Sequence, residues 1–153
     1  MNDIKLKRTN SDDADFQELV SLLDNELRVR DGDEHSFYAQ FNKLDSIKHA
    51  VVVFADSGAV GCGAIKRFDE FTVEIKRMYV REAFRGMGIA VSILNELEKW
   101  ASEIDFEFAI LETGYNQPEA IRLYQKTGYL VTENYGQYEG VENSVCMKKK
   151  ISE

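Results

Sequence analysis

One junction between secondary-structure elements constrains the fold more than any other feature of the sequence. The segment MYVREAFRGMGIA, residues 78–90, predicts that a strand ends, a short loop passes through Gly86 and Gly88, and a long helix begins. The first turn of a helix presents unpaired N–H groups and a positive dipole end, and glycines let an anion approach the backbone closely. The junction therefore predicts an anion-binding site, although a glycine turn that serves only packing has the same pattern.

The glycine loop matches neither of two common nucleotide-binding patterns. It lacks the lysine of the Walker pattern. It also lacks the third glycine and the parallel strand–helix–strand start of the dinucleotide fingerprint. The loop therefore fits neither pattern.

The chain before the junction begins with a short strand, because Ile4 and Leu6 alternate with lysines. Residues 10–13 offer helix-capping side chains, and a helix follows. Its apolar residues recur at helical spacing: Phe16, Leu19, Val20, Leu23 and Leu27. Residues 28–35 form a polar stretch that predicts a turn, and residues 37–44 predict a second short helix. From Ala50 the pattern predicts a hairpin that leads to a third strand over residues 71–80.

The chain after the junction predicts a long helix, a buried strand from Phe106, a helix between Pro118 and Gly128, and two final strands. The order β-α-α-β-β-β-α-β-α-β-β predicts an α/β fold. It has a mixed, mostly antiparallel sheet of about seven strands and about four flanking helices. No repeat or linker interrupts it, so residues 1–153 are predicted to form a single domain.

Composition narrows the class of protein. A formal net charge of −8 opposes binding to duplex nucleic acid, although Lys76, Arg77, Arg81 and Arg85 concentrate positive charge beside the loop. No segment has the length of a membrane span, so we expect a cytoplasmic protein that does not engage a membrane. Cys62 and Cys146 are predicted to be buried thiols, with a disulfide as the alternative, and no spacing predicts a metal site.

The loop and its surroundings resemble the GNAT superfamily of acyl-CoA N-acyltransferases. Its pattern, Arg/Gln-x-x-Gly-x-Gly/Ala, is matched by Arg85, Gly88 and Ala90. Similar members carry a strand like VEIKRMYV before the loop and a segment like LETGYNQPEAIRLYQKTGY after it, which stands here at residues 111–129. The resemblance implies the GNAT fold. The amino-terminal third, which shapes the acceptor site in this superfamily, matches in element order alone.

The resemblance also implies a site for acetyl-CoA. Backbone groups of Met78, Tyr79 and Val80 would pair with the pantetheine amides as a strand does. Asn116 resembles a position whose amide meets pantetheine, with an ordinary helix-entry residue as the alternative. The pyrophosphate would be held by the loop residues Arg85, Gly86, Met87, Gly88, Ile89 and Ala90.

Two residues resemble catalytic positions of the family. Tyr124 matches a tyrosine that lies beside the cofactor sulfur in the family, and it would act as general acid. The alternative is that Tyr124 only packs its helix on the sheet. Glu74 matches a carboxylate that accepts the amine proton directly or through water. The alternative for Glu74 is a surface glutamate alternating with Lys76.

The acceptor pocket is the least defined part of the predicted site. Glu26, Arg28, Arg30 and His35 occupy the place of the family's acceptor loop, and residues 135–138 would connect the last two strands. A solvated charge run and a polar hairpin loop are the alternatives. The resemblance also leaves a homodimer as one oligomeric state, because many members of the family form dimers.

The implied activity is direct transfer of an acetyl group from acetyl-CoA to a primary amine of a small molecule or peptide. It would pass through a tetrahedral intermediate, without a metal or an acyl-enzyme. A non-catalytic acyl-CoA sensor with the same fold is the alternative from another class. A longer acyl group or an oxygen acceptor is a further alternative.

Overall fold

The computed structural model describes residues 3–31, 46–56 and 58–152. Its contacts divide the chain into two compact units. Unit 1 contains Met1–Ile65 and Arg77–Leu97, and unit 2 contains Lys66–Lys76 and Glu98–Glu153.

Seven strands form one sheet in the order β1-β2-β3-β4-β5-β7-β6. Their bounds are β1 Lys5–Thr9, β2 His49–Ala55, β3 Gly58–Arg67, β4 Thr72–Val80, β5 Phe108–Gly114, β6 Leu130–Thr132 and β7 Ser144–Lys150. The α-helices of the described ranges are α1 Ala14–Asp31, α2 Ile89–Glu103 and α3 Pro118–Lys126. The predicted α/β fold with a mixed, mostly antiparallel sheet is confirmed.

The first helix is longer than the sequence pattern predicts. Helix α1 begins after Asp13, whose Oδ1 accepts the N–H of Phe16 at 2.9 Å, as a helix-capping carboxylate does. It continues to Asp31, so residues 28–31 are helical and the predicted turn there is wrong. The predicted helix over residues 37–44 lies outside the described residues.

The core of unit 1 lies between α1 and the first strands. β2 pairs with both β1 and β3 in antiparallel register, for example Lys7 with Val52 and Val52 with Cys62. The apolar stripe of α1 packs on this sheet because its helical spacing puts those residues on one face. The buried cluster consists of Phe16, Leu19, Val20, Ile47, Ala50, Val52, Cys62 and Ala64.

Unit 2 is built around β5. Residues 72–74 of β4 pair in parallel with residues 108–110 of β5, and β7 pairs antiparallel with both β5 and β6. Helix α3 has Pro118 in its first turn, where the missing N–H is tolerated. Gly128 follows the helix at φ +103°, a backbone conformation that favours glycine and ends the helix.

The described helices include none that combines the length and the apolar character needed to cross a membrane.

Candidate active site

The glycine loop of unit 1 has the predicted position between a strand and a helix. A single 3₁₀ turn, Glu82–Phe84, follows β4, and α2 begins at Ile89. Gly86 and Gly88 have φ values of +80° and +81°, and a Cβ at either position would meet nothing within 4 Å. Backbone conformation, and not crowding, therefore requires glycine at both positions. The exposed loop at a helix N-terminus fits the phosphate groups that the family resemblance implies.

Arg85 is held by three groups of unit 1. Its Nε donates to the carbonyl oxygen of Val80 at 2.8 Å, and its Nη2 donates to Oε1 of Glu26 at 2.8 Å. The guanidinium also lies over the ring of Tyr79, 5.5 Å from its centroid. The cation of the loop is therefore oriented, and its charge is already paired with a carboxylate.

Helix α1 places a carboxylate opposite each arginine of this region. Arg77 Nη1 lies 3.4 Å from Asp24 Oδ1, and Arg81 Nη2 lies 3.0 Å from Glu18 Oε2. Glu26 forms the third such ion pair, with Arg85. The charges of these three arginines are consequently balanced within unit 1.

Arg77 has an unusual backbone conformation for a residue inside a strand. Its φ is +61°, a region that costs a non-glycine residue about 1–2 kcal/mol. Such an irregularity turns the strand locally and changes which side chains face each side. It directly precedes Met78, Tyr79 and Val80, the residues whose backbone is predicted to bind pantetheine. The sequence carries no signal for it, since arginine is not typical of this conformation.

Glu74 in unit 2 is a buried carboxylate with only 9% of its surface exposed. Its Oε2 accepts a hydrogen bond from the hydroxyl of Tyr135 at 2.7 Å, and its Oε1 lies 3.8 Å from Nζ of Lys76. The alternative of a surface glutamate is therefore wrong. Burial, followed by the charge and the hydrogen bond of Glu74, raises the pKa of Tyr135, so this phenol stays protonated.

The loop predicted to line the acceptor pocket brings two aromatic residues to this carboxylate. Residues 136–138 form a 3₁₀ turn, and Tyr138 is buried with its ring 5.6 Å from that of Tyr135. The ring of Phe68 also contacts Tyr135, with 5.2 Å between the ring centroids. Burial, then Glu112 and Glu74, raises the pKa of Tyr138. The sequence singled out this loop but gave no sign of its bond to Glu74.

Tyr124 is a buried residue of α3, with 7% of its surface exposed. Its ring lies 5.9 Å from the ring of Tyr129 in an edge-to-face arrangement. Burial, and then the charge of Glu112, raises the pKa of Tyr124. The side chain thus has the packing role given as its alternative, and it also carries a phenol that stays protonated at neutral pH.

Asn116 is an exposed residue before α3. The N-cap of that helix is Gln117, and no side chain caps it. Helix capping therefore does not explain Asn116.

The two cysteines are free and buried, as predicted. Burial, only partly offset by the charge of Arg77, raises the pKa of Cys62 to about 12. Burial also raises the pKa of Cys146 to about 11, together with the charges of Glu112 and Glu74 and against a backbone hydrogen bond at Tyr135. Neither thiol is activated as a nucleophile, because thiolate formation is suppressed at both positions.

The residues predicted for the acceptor loop are not gathered in one place by the described structure. Glu26 lies on α1 and binds Arg85, and Arg28 lies on the same helix with its Nη1 3.5 Å from Oδ1 of Asn25. The side chain of Arg30 and all of His35 fall outside the described residues. Across the described ranges, no three His, Cys, Asp or Glu side chains are placed to hold a metal ion.

Comparison with known proteins identifies the class to which this chain belongs. The family model of the acetyltransferase (GNAT) family matches residues 16–129, which is more than half of the chain. The chain is therefore a member of the GNAT acetyltransferase family.

Solved structures agree with this assignment. A protein of Klebsiella pneumoniae subsp. pneumoniae MGH 78578, to which acyl-CoA N-acyltransferase activity is ascribed, is 30% identical with a TM-score of 0.81, covering 97% of each chain. A GNAT acetyltransferase of Elizabethkingia anophelis, solved with acetyl-CoA bound, is 17% identical with a TM-score of 0.69, covering 96% of this chain and 97% of that chain. The second likeness shows the fold alone.

One curated relative is an IAA acetyltransferase of Azospirillum brasilense, 36% identical over 93 residues, which are 60% of this chain and 61% of that protein. Another is an uncharacterised N-acetyltransferase of Schizosaccharomyces pombe, 30% identical over 95 residues, which are 61% of this chain and 58% of that protein. The chain spans about three fifths of the length of these curated relatives.

Proposed function

We propose that this protein transfers an acetyl group from acetyl-CoA directly to a primary amine of a small molecule or peptide. The observation that carries the proposal is the loop at the start of α2 in a chain of the GNAT family. Gly86 and Gly88 both adopt the left-handed conformation there, and their faces are open. Membership of an acetyltransferase family and the acetyl-CoA bound to the Elizabethkingia anophelis structure support this acyl donor.

The cofactor-binding role is assigned to residues of unit 1. Gly86, Met87, Gly88 and Ile89 supply N–H groups at the helix N-terminus for the pyrophosphate, and the backbone of residues 78–80 supplies strand-like partners for pantetheine. The side chain of Met87 is 61% exposed. Arg85 adds a cation whose direction is set by Val80 and Tyr79.

The chemical roles are assigned to residues of unit 2. An amine of pKa about 10.4 needs about 4–5 kcal/mol to be neutral at pH 7, so a base that takes its proton assists attack. Glu74 is proposed as that base, acting directly or through water, because it is a buried carboxylate held in one orientation. Bound acetyl-CoA supplies the thioester and a thiolate leaving group.

Tyr124 is proposed to donate a hydrogen bond to the leaving sulfur. The raised pKa keeps the phenol protonated, which a donor requires, but it also makes the phenol a weaker acid than usual. A thiol of pKa about 8–9 releases a thiolate that is stabilised by such a bond without full proton transfer. Asn116 is proposed to contact pantetheine through its amide.

The burial of Tyr124 is also the observation that favours a second candidate, an acyl-CoA sensor that binds the cofactor and transfers nothing. Glu74 separates the two candidates, because a sensor has no need of a buried carboxylate that accepts a proton. Mutation of Glu74 to Gln would leave a sensor intact and would reduce the turnover of an enzyme.

One combined measurement tests the proposal. The purified protein is titrated by calorimetry with acetyl-CoA and with CoA, and thiol release from acetyl-CoA is then followed in the same samples over a panel of primary amines. Binding with amine-dependent thiol release supports the enzyme and names its acceptor class. Binding without release for any amine supports the sensor, and no binding to either ligand contradicts both candidates.

A further inference from the structure

Both oxygens of the Glu74 carboxylate have a defined neighbour in unit 2. Oε2 accepts the Tyr135 hydroxyl at 2.7 Å, and Oε1 faces the Lys76 ammonium at 3.8 Å. Only the first of these distances is a hydrogen bond, since 3.8 Å is too long for one. The direction of the carboxylate is therefore set mainly by one phenol from the turn that precedes β7.

We propose that Tyr135 is a positioning residue for Glu74. Its hydrogen bond to Oε2 fixes the orientation of the carboxylate that is proposed to accept the amine proton. The inference rests on the proposed function, because it assigns to Glu74 the work of a base. It gives a role in that function to Tyr135, which lies 61 positions from Glu74 in the chain. Tyr135 is outside the loop pattern and the two segments that resemble the family.

The surroundings of Tyr135 suit a fixed donor. Its ring makes edge-to-face contacts with the rings of Phe68 and Tyr138, with centroid distances of 5.2 and 5.6 Å. Edge-to-face contacts of this kind restrict the ring and hence the hydroxyl. The phenol stays protonated, so it donates to Glu74 across the working range of pH.

The other titratable groups that face Glu74 cannot replace Tyr135. Tyr138 and Cys146 interact with Glu74 through space, and both are neutral at pH 7 because burial raises the pKa of each. Lys76 supplies a positive charge at 3.8 Å. Glu112 acts on the same Tyr138 and Cys146 side chains as Glu74 does. Loss of the Tyr135 hydroxyl would thus leave Glu74 with a charge partner but without its short hydrogen bond.

Unit 2 contains a second arrangement of the same three residue types, which provides a matched control. The hydroxyl of Tyr129 donates to Glu98 Oε2 at 2.9 Å, and Lys149 Nζ lies 2.8 Å from Glu98 Oε1. Neither Tyr129 nor Glu98 has a role in the proposed chemistry. Tyr129→Phe therefore removes an equivalent bond without touching the proposed base.

The test compares Tyr135→Phe, Tyr129→Phe and wild type by thiol release across pH, with one amine at fixed concentration. For Tyr135→Phe we expect kcat at pH 7 to fall about 10-fold, as loss of a hydrogen bond to a charged group predicts. The KM for acetyl-CoA should stay within about two-fold, because no cofactor contact changes. Tyr129→Phe should lower the melting temperature and leave kcat within about two-fold of the wild-type value.

A double-mutant cycle separates positioning from a general effect on the fold. If Tyr135 acts through Glu74, the rate of Glu74→Gln is not lowered further by adding Tyr135→Phe. Multiplicative losses in the double mutant, or an unchanged kcat in Tyr135→Phe, would overturn the inference while wild-type turnover still upheld the proposed function. Absence of amine-dependent thiol release from the wild type would overturn both.

Discussion

The guanidinium of Arg85 lies 2.8 Å from the carboxylate of Glu26, which joins the glycine loop to helix α1. Arg85 is the first residue of the family's loop pattern and is proposed to meet the pyrophosphate. In this chain its charge is shared with a side chain of the same unit. A phosphate that approaches the loop must therefore compete with Glu26 for the cation.

This competition predicts that Glu26→Gln strengthens the binding of CoA. A partly exposed ion pair is worth about 0.2–1 kcal/mol, so we expect the Kd for CoA to fall by up to about five-fold at low salt. Calorimetry at two salt concentrations measures the effect, which should shrink at the higher one because salt screens exposed charges.

Glu18→Gln is the matched control for that prediction. It removes the same charge from the same helix and breaks the pair with Arg81, a residue outside the predicted phosphate site. We expect the Kd for CoA to change by less than about two-fold in this variant. Equal tightening in both variants would show that the net charge of α1, and not the release of Arg85, controls affinity.

Substitution of Gly88 tests the anion-binding role of the loop. Gly88→Asn and Gly88→Asp introduce side chains of similar size at a position where φ is +81°. Asn and Asp tolerate this conformation better than most residues. The aspartate adds a negative charge where phosphate is expected. We expect it to weaken CoA binding by at least about ten-fold more than the asparagine, since anions favour a helix N-terminus and repel one another.

Gly140→Ala controls for strain in the Gly88 experiment, when it is compared with Gly88→Ala. Gly140 has φ +77°, and a Cβ added there would also meet nothing within 4 Å, but this glycine lies in unit 2 outside the glycine loop. Both alanine variants should lose about 1 kcal/mol of unfolding free energy. CoA affinity should fall in Gly88→Ala alone, and an equal affinity in Gly88→Asp and wild type would disprove the loop assignment.

Tyr124→Phe should lower turnover with little change in CoA affinity. Phenylalanine keeps the ring that packs on Tyr129, while the hydroxyl proposed to stabilise the leaving thiolate is lost. We expect kcat to fall by about 10- to 100-fold, as for loss of a hydrogen bond to a charge that develops in the transition state. Single-turnover thiol release and calorimetry measure the two quantities on the same preparation. Unchanged turnover at every pH would leave Tyr124 with a packing role alone.

Features encoded by neighbouring residues could be predicted from the sequence. The glycine loop, the hairpin after Ala50 and the helix that starts at Pro118 each depend on local backbone preferences and periodicity. The end of α1 was missed because three of residues 28–31 are charged, and such a stretch can be the exposed last turn of a helix or a loop. Local pattern does not separate these two cases.

The contacts that shape the candidate site could not be predicted in the same way. Tyr135 and Glu74 are 61 positions apart, and Arg85 and Glu26 are 59 apart. Each pair forms because the sheet and helix order brings two elements together, and a tyrosine or a glutamate alone carries no sign of its partner. The positive φ of Arg77 is likewise imposed by its surroundings, since nothing in its residue type favours that conformation.

The cap of α1 gives a prediction about stability. Asp13 accepts the N–H of Phe16 and also pairs with Lys7, whose Nζ lies 2.9 Å from Oδ2. Asp13→Ala should lower the free energy of unfolding by about 1 kcal/mol at pH 7, as loss of a capping carboxylate does. Asp12→Ala is the matched control, because Asp12 is exposed and its replacement removes the same charge without a capping bond.

The effect of Asp13→Ala should also depend on pH with a definite sign. Burial acts to raise the pKa of Asp13, but hydrogen bonds from Lys7, the Phe16 N–H and Thr9 outweigh it and hold that pKa below its ordinary value. The stabilisation is therefore complete above the unfolded pKa of about 3.9 and is lost as pH falls through the lower folded value. Urea unfolding at pH 7 and near pH 3 should show the difference between wild type and Asp13→Ala narrowing in acid. A difference that is constant or grows as pH falls would mean that the carboxylate stabilises α1 by some means other than its ionised form.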